Sequence, residues 1–230
     1  MTTKKRIAII GAGVAGMAFA ILAARQGHFV HVFERRPQVG SELGAGVTLW
    51  PNASFVLKQM GLLDDIVKVS GKPKTMVRFD QYSSEQPNEP FREKSRLVIH
   101  EINRQAQHET YSILRRDLME ILFDALQKTQ ARIHFSHPIQ AEELAQLKTE
   151  YDLVIGADGR MHSAARQNII AALSTELSVD NEAIYQGFIN VIGITQSPLT
   201  LIDKGVIQDY WGDGERFGIV PINDKTCYWA

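Results

Sequence analysis

An α/β fold built on an open parallel sheet is what this sequence predicts, and three observations predict it. An apolar, strand-like run from Arg6 to Ile10 meets the glycines Gly11, Gly13 and Gly16, and a helix-like run from Val14 to Gln26 follows. A β-branched segment, Val30 to Glu34, then closes a βαβ unit of about thirty residues. Much later a second apolar run, Leu153 to Gly156, ends in Asp158-Gly159. The carboxyl ends of such strands are where open α/β sheets bind their ligands.

The remaining elements follow from local pattern. Gly27 stops the first helix. Pro51-Asn52 opens a second, carrying Phe55, Val56, Met60 and Leu63. From Val69 to Leu97 the chain is polar, with prolines at 73, 87 and 90, and short strands such as Met76 to Phe79 belong to a second layer. Arg116 to Gln130 is the clearest helix: Leu118, Ile121, Leu122, Ala125 and Leu126 make one apolar stripe. Arg132 to Phe135 should run parallel to the first two strands, and Ala141 to Lys148 reads as helical. Beyond about residue 175 the texture turns to β, with strands at Tyr185 to Ile194, Val206 to Trp211, Phe217 to Pro221 and Cys227 to Trp229. Turns at Gly212-Asp213-Gly214 and Asn223-Asp224 separate the last three.

Composition narrows the function classes. The 230 residues are 44% hydrophobic and 22% charged, with a formal net charge of −1, an ordinary globular balance. Basic residues fall in scattered pairs and short runs, with no stripe suited to a nucleic-acid backbone. Lys4-Lys5-Arg6 before the uncharged stretch Ile7 to Ala24 has the outline of a signal peptide or a marginal membrane span. Glycines at regular spacing and the strand ending in Glu34 favour a folded βαβ unit instead, so a cytoplasmic protein without membrane partners is expected. The lone Cys227 suits a reducing compartment. The seven histidines show no metal-ligand grouping in sequence. Trp211, Phe217, Tyr228 and Trp229 read as sheet core or as the lining of an aromatic pocket.

The pattern Gly11-x-Gly13-x-x-Gly16 has a clear physical use between a strand and a helix. The first glycine permits the tight turn, the second lets backbone approach a pyrophosphate, and the third packs the helix close to the sheet. Glu34 stands where a carboxylate accepts hydrogen bonds from an adenosine ribose, and it disfavours a 2′-phosphate there. The fingerprint alone does not choose between NAD and FAD.

Four motifs in order then carry a family resemblance: Gly11 to Gly16 with Glu34-Arg35; Gly44-Ala-Gly-Val-Thr-Leu-Trp-Pro-Asn-Ala53; Arg115-Arg-Asp-Leu118; and the Asp158-Gly159 segment. The chain resembles the single-component FAD-dependent aromatic hydroxylases, the group that includes p-hydroxybenzoate, salicylate and urate hydroxylases. The resemblance implies a Rossmann-like FAD-binding domain (residues 1–70 and 98–172) with a β-rich, incomplete substrate domain (71–97 and 173–230). Residue by residue, it implies that Gly11, Gly13 and Gly16, with Val14 and Ala15 between them, hold the FAD pyrophosphate. Glu34 would hold the ribose, and Arg35 would lie beside the adenosine. Gly46 and Val47 would bring backbone to the flavin, Arg115 would contact the cofactor, and Asp158 and Gly159 would serve the pyrophosphate region. The implied reaction oxidises NADH or NADPH as a transient reductant and inserts one oxygen atom from O2 into a small aromatic or similar ring. The cofactor carries that chemistry, so no catalytic residue is named.

Two departures accompany the resemblance. Relatives carry a β-meander between the strand at Arg132 to Phe135 and the Asp-Gly segment, whereas only Ser136 to Tyr151 is available here. They also continue to a Gly-Asp-Ala motif at the flavin, for which this sequence has no counterpart. The expectation is therefore a fragment, a truncated product whose activity is impaired, or a half needing a partner, with a homodimer as the other assembly to consider. Two further readings stay open: an NAD-dependent dehydrogenase on the same βαβ unit, and a non-catalytic dinucleotide-binding remnant.

Overall fold

The structure is a computed structural model that describes residues 3–40, 45–81, 91–159, 163–173, 184–196 and 203–230. The chain begins with β1 (Arg6–Ile10), α1 (Val14–Arg25), β2 (Phe29–Phe33), β3 (Gly46–Leu49), α2 (Pro51–Gln59) and α3 (Leu63–Val69). It continues through β4 (Thr75–Gln81), β5 (Phe91–Val98), α4 (Ile99–Ala106), β6 (Tyr111–Leu114), α5 (Arg115–Gln127) and β7 (Arg132–His134). The last elements are α6 (Ala141–Glu150), β8 (Leu153–Gly156), α7 (Ala164–Leu173), β9 (Gly193–Gln196), β10 (Val206–Trp211), β11 (Arg216–Pro221) and β12 (Thr226–Trp229). They form two compact units, Met1–Ser41 with Met119–Phe188, and Glu42–Leu118 with Ile189–Ala230.

The first unit is the parallel α/β layer that the sequence predicts. Its sheet has the order β7-β2-β1-β8, and every pairing in it is parallel. Alternation along β1 and β2 sends Ile7, Ile9, Val30 and Val32 to one face, and all four are buried. Met17, Ala20 and Ile21 recur at helical spacing on α1 and are fully buried too. On the other face Ala8, Ile10 and Phe33 pack with Ile139, Leu144 and Leu147, which bring α6 onto the sheet. Each such leucine contributes about 1.5–3 kcal/mol on burial. The helix expected at Ala141 to Lys148 is therefore present and two residues longer, and its two inward leucines cover this face.

The second unit is β-rich. Its large sheet runs β5-β4-β10-β11-β12-β9, antiparallel except where β10 lies parallel to β4. A two-stranded ladder pairs β3 with β6. Both expected turns are present: Gly212 to Glu215 joins β10 to β11 with Gly214 at φ +74°, and Asn223 accepts from the N–H groups of Lys225 and Thr226.

Several local expectations are corrected. On α2 the buried positions are Pro51, Ser54 and Leu57, while Phe55 and Val56 are exposed. That helix stops before Gly61 (φ +67°), so Leu63 belongs to the next helix rather than to its stripe. The strand expected from Tyr185 begins only at Gly193, where β12 supplies a ladder partner. Tyr185, Phe188, Ile189 and Val191 before it are exposed. The strand at Leu153 to Gly156 is an edge strand with Leu153 exposed, not a buried one. Helix α4, with buried Ile99 and Asn103, carries too short an apolar stripe to be read from sequence. No helix among the described residues is long and apolar enough to cross a membrane.

One polar cluster lies at the end of the α6-covered face. The Tyr151 hydroxyl is 3.0 Å from His31 Nδ1, and His134 Nε2 is 3.3 Å from the same nitrogen. Burial, then the neighbouring positive groups, lowers the pKa of both histidines below 6.5. The unfolded chain then binds more protons, so stability is fully present above the unfolded value and declines as pH falls through and below it. Urea midpoints should accordingly drop between about pH 7.5 and about pH 5.5, and His134→Gln should flatten part of that slope. A midpoint independent of pH across this window would contradict the arrangement.

Candidate functional site

The turn after β1 is shaped by what its glycines exclude. Gly11 has φ +102°, in the region that favours glycine. A Cβ on Gly11 would collide with the backbone carbonyl of Ala157, and one on Gly16 with the carbonyl oxygen of Gly11. These two glycines are demanded by the fold itself, because they let β1, α1 and the end of β8 meet at backbone contact. Gly13 is different: a Cβ there would find nothing within 4 Å. It is the N-cap of α1, it supplies no side-chain cap, and the first helical turn holds no acid. The N–H groups of Val14, Ala15 and Gly16 therefore have no intrahelical acceptor. With the positive end of the helix dipole they make a seat for an anionic group beside open space.

Glu34 follows β2 and turns back to this loop. Its Oε2 accepts from the Ala12 N–H at 2.7 Å and its Oε1 from the Arg36 N–H at 2.9 Å. Each oxygen keeps a further lone pair, so a half-buried carboxylate is fixed at the rim with capacity for a diol. Arg35 is exposed beside it. On the neighbouring strand end, Asp158 is committed locally. Its Oδ1 accepts from the Ser163 hydroxyl at 2.7 Å, its Oδ2 lies 3.3 Å from the Ala165 N–H, and Ser163 Oγ accepts from Arg166 N–H. Asp158 thus caps α7, and what the segment offers to a ligand is backbone at Gly159, which has φ +86° and an open Cβ position.

The second unit assembles the other expected residues. Gly46 and Val47 pair with Leu114 and Ile113, and the Arg115 N–H donates to Ala45 O at 2.9 Å. Gly44, the first residue of that motif, lies outside the described residues. Against Gly46 lies Tyr228: a Cβ on the glycine would come within 2.7 Å of the tyrosine Cβ and ring. Burial raises the Tyr228 pKa, partly offset by Arg216, so the hydroxyl remains a donor at neutral pH.

A constellation that sequence reasoning missed lies on the same sheet face as that tyrosine. Asp209, 3% exposed, receives two hydrogen bonds from Arg216 at 2.6 and 3.0 Å and one from the Trp211 indole at 2.7 Å. Trp211 in turn lies 4.0 Å from the Arg78 guanidinium and 5.2 Å from that of Arg216. The four aromatics weighed as one group divide: Trp211 and Tyr228 share this face, while Phe217 and Trp229 pack together on the other, their rings 6.1 Å apart. The available signal was Asp209 alternating with Ile207 and Trp211, three residues before a Gly-Asp-Gly turn that brings Arg216 opposite Trp211. Among the described residues no group of three or more His, Cys, Asp or Glu side chains could hold a metal ion.

Residues 9–47 match the family model described as an NAD(P)-binding Rossmann-like domain. The 6-hydroxynicotinate 3-monooxygenase of Bordetella bronchiseptica is 29% identical over 98% of this chain and 57% of its own length. The FAD-dependent urate hydroxylase of Mycolicibacterium vanbaalenii is 24% identical over 97% of this chain and 55% of its own. A crystal structure of a mutant 2-methyl-3-hydroxypyridine-5-carboxylic acid oxygenase superposes with TM-score 0.70 at 20% identity, covering 99% of this chain and 58% of that one. The chain spans about half the length of the curated relatives it matches. In sequence and in fold it is similar to FAD-dependent monooxygenases.

The glycines separate fold from binding. Gly16→Ala should cost about 1–3 kcal/mol of stability through backbone overlap. Gly13→Ala should unfold at the wild-type midpoint yet weaken dinucleotide binding by about tenfold or more, because its methyl enters the open space. Chemical denaturation and a binding titration on both variants check this; equal destabilisation by both would refute it.

Proposed function

We propose that this chain carries the FAD site and the substrate-facing sheet of an FAD-dependent monooxygenase acting on a small aromatic or heteroaromatic ring. The observation that carries the proposal is the seat at the start of α1: an uncapped helix N-terminus over an open Gly13, with Glu34 anchored on the same loop. What supports a dinucleotide there is that free N–H groups suit its phosphates and the carboxylate suits a ribose diol. The chain's likeness to FAD-dependent monooxygenases, rather than to dehydrogenases, favours the flavin form.

In this reading Gly11, Gly13 and Gly16, with the N–H groups of Val14 and Ala15, hold the pyrophosphate. Glu34 takes the ribose hydroxyls, and Arg35 flanks the adenosine. Gly46 and Val47 present backbone to the flavin, Arg115 contacts the cofactor, and Asp158 keeps the Gly159 backbone in place for the pyrophosphate. Bound FAD would supply the redox chemistry, taking a hydride from NADH or NADPH and using O2. The protein's part is to bind, orient and exclude water. Arg216, held by Asp209, offers positive charge to an electron-rich or anionic ring substituent. Tyr228 keeps its proton for a hydrogen bond, and Trp211 gives a flat surface. As functional domains we retain residues 1–70 and 98–172 for FAD and 71–97 and 173–230 for substrate. The compact units, by contrast, group 42–70 and 98–118 with the β-rich part. A cytoplasmic protein is the corresponding proposal for location.

FAD titration of the purified chain tests this, read by flavin fluorescence and by absorbance. Saturable binding is expected, weakened by about tenfold in Glu34→Gln through loss of the ribose contact. A folded wild-type chain that binds NAD but not FAD would overturn the flavin reading.

A further inference from the structure

The glycine loop, Glu34 and Asp158 lie after the carboxyl ends of β1, β2 and β8. The amino ends of the same strands have a different character. Arg6 opens β1, Phe29 opens β2 and Arg132 opens β7, with Arg6 in register with Phe29 and Arg132 with His31. Alternation places these four on the face that α6 covers farther along. The crossover between β7 and β8 is short, however, and its inward leucines reach Ala8, Ile10 and Phe33 rather than the strand beginnings. An open groove of about 820 Å³ is left, lined by Lys4, Arg6, Phe29, His31, Arg132 and Asp152 among others.

The charges in this groove do not balance. Lys4, Arg6 and Arg132 bring three cations on a chain whose net charge is −1. Asp152 is the one carboxylate in the lining. Its Oδ2 accepts from the Arg6 backbone N–H at 2.7 Å, and its Oδ1 lies 3.9 Å from Lys5 Nζ. Among the described residues no carboxylate comes within ion-pair distance of the Lys4, Arg6 or Arg132 side chains. A cleft lined by one sign of charge concentrates counter-ions of the other. The floor also carries aromatic rings: Phe29 is exposed with Lys4 Nζ 6.0 Å from its ring centroid, and the Arg6 guanidinium lies 5.2 Å from that of Tyr151.

We propose that this groove, at the opposite strand ends from the dinucleotide seat, binds a small anion carrying two or more phosphate or carboxylate charges. Such a ligand sits across Arg6 and Arg132 with Lys4 at its edge, and it neutralises cations that otherwise repel one another. His31 registers its arrival. That imidazole is held below its usual pKa by burial first, then by His134, Arg132 and Arg6. The groups facing it are Tyr151, His134, Arg132 and Arg6, so an anion between the two arginines raises its pKa.

Calorimetry at low ionic strength with inorganic pyrophosphate and, separately, citrate tests the proposal. Lys4 and Arg132 are exposed, so Lys4→Gln/Arg132→Gln preserves the fold, which circular dichroism verifies. Saturable binding of either probe is expected, weakened by about tenfold or more in the double variant and by added salt. The affinity should persist in Gly13→Ala, which separates this groove from the dinucleotide seat, and the His31 ring resonance should titrate at higher pH with probe present. Tighter pyrophosphate identifies a phosphate ligand, and tighter citrate a polycarboxylate. No saturation by about 5 mM of either probe, or equal affinity in the double variant, would overturn it.

Discussion

The backbone contact between the turn at Gly11 and the end of β8 is the constraint on which the first unit is built. The Ala157 N–H donates to Ile10 O at 2.7 Å, and Gly11 N–H donates to Phe33 O at 2.8 Å. Three strand ends are thereby tied at one point. Gly16 then brings α1 against the Gly11 carbonyl, closer than any side chain permits. The direction of α1 follows, and so does the position of its uncapped N-terminus. Glu34 is drawn into the same knot through Ala12, so the anion seat and the carboxylate that would accompany it are fixed by one set of backbone bonds.

Asp209 organises the second unit in a comparable way. Its side chain is 5% exposed, while that of Arg216 is 58% exposed. The carboxylate is therefore inside the sheet face and the guanidinium at its rim. Removing Arg216 would leave the buried carboxylate without its charged partner, whereas removing Asp209 would release a guanidinium that already reaches solvent. The buried member is thus the anchor and the exposed member the working group. Tyr228 completes the face because Gly46 has no side chain to displace it.

The parallel sheet consequently has two electrostatically distinct ends. At the carboxyl ends, helix dipole and N–H groups offer positive potential with a carboxylate set beside it. At the amino ends, full cations stand with little opposing charge. The short crossover through α6 produces this second feature: two leucines suffice to seal the apolar middle of the face, and the strand beginnings stay open. The crossover expected from sequence as a departure from relatives is also what leaves that groove open.

The βαβ unit, the long helix α5, the helix in the crossover and the two late turns were all legible in the sequence. Each rests on contacts between residues near one another in the chain: a glycine that stops a helix, a stripe at 3.6 spacing, a turn with its own hydrogen bonds. The Gly11 to Gly16 loop with Glu34 was legible for the same reason. Other features depended on partners far away. Whether Tyr185 to Ile194 forms a strand depends on the reach of β12, and which residues of α2 face inward depends on what packs against it. Asp158 looked available because its cap partners, Ser163 and Ala165, become neighbours only when α7 folds back. Arg132 looked remote from the Lys4-Lys5-Arg6 run because register, not sequence distance, puts β1 and β7 on either side of β2. Sequence by itself determined the local chemistry and the α/β class. The tertiary structure decided which of those groups share a face, because strand pairing and burial are settled by long-range contacts that no short window contains.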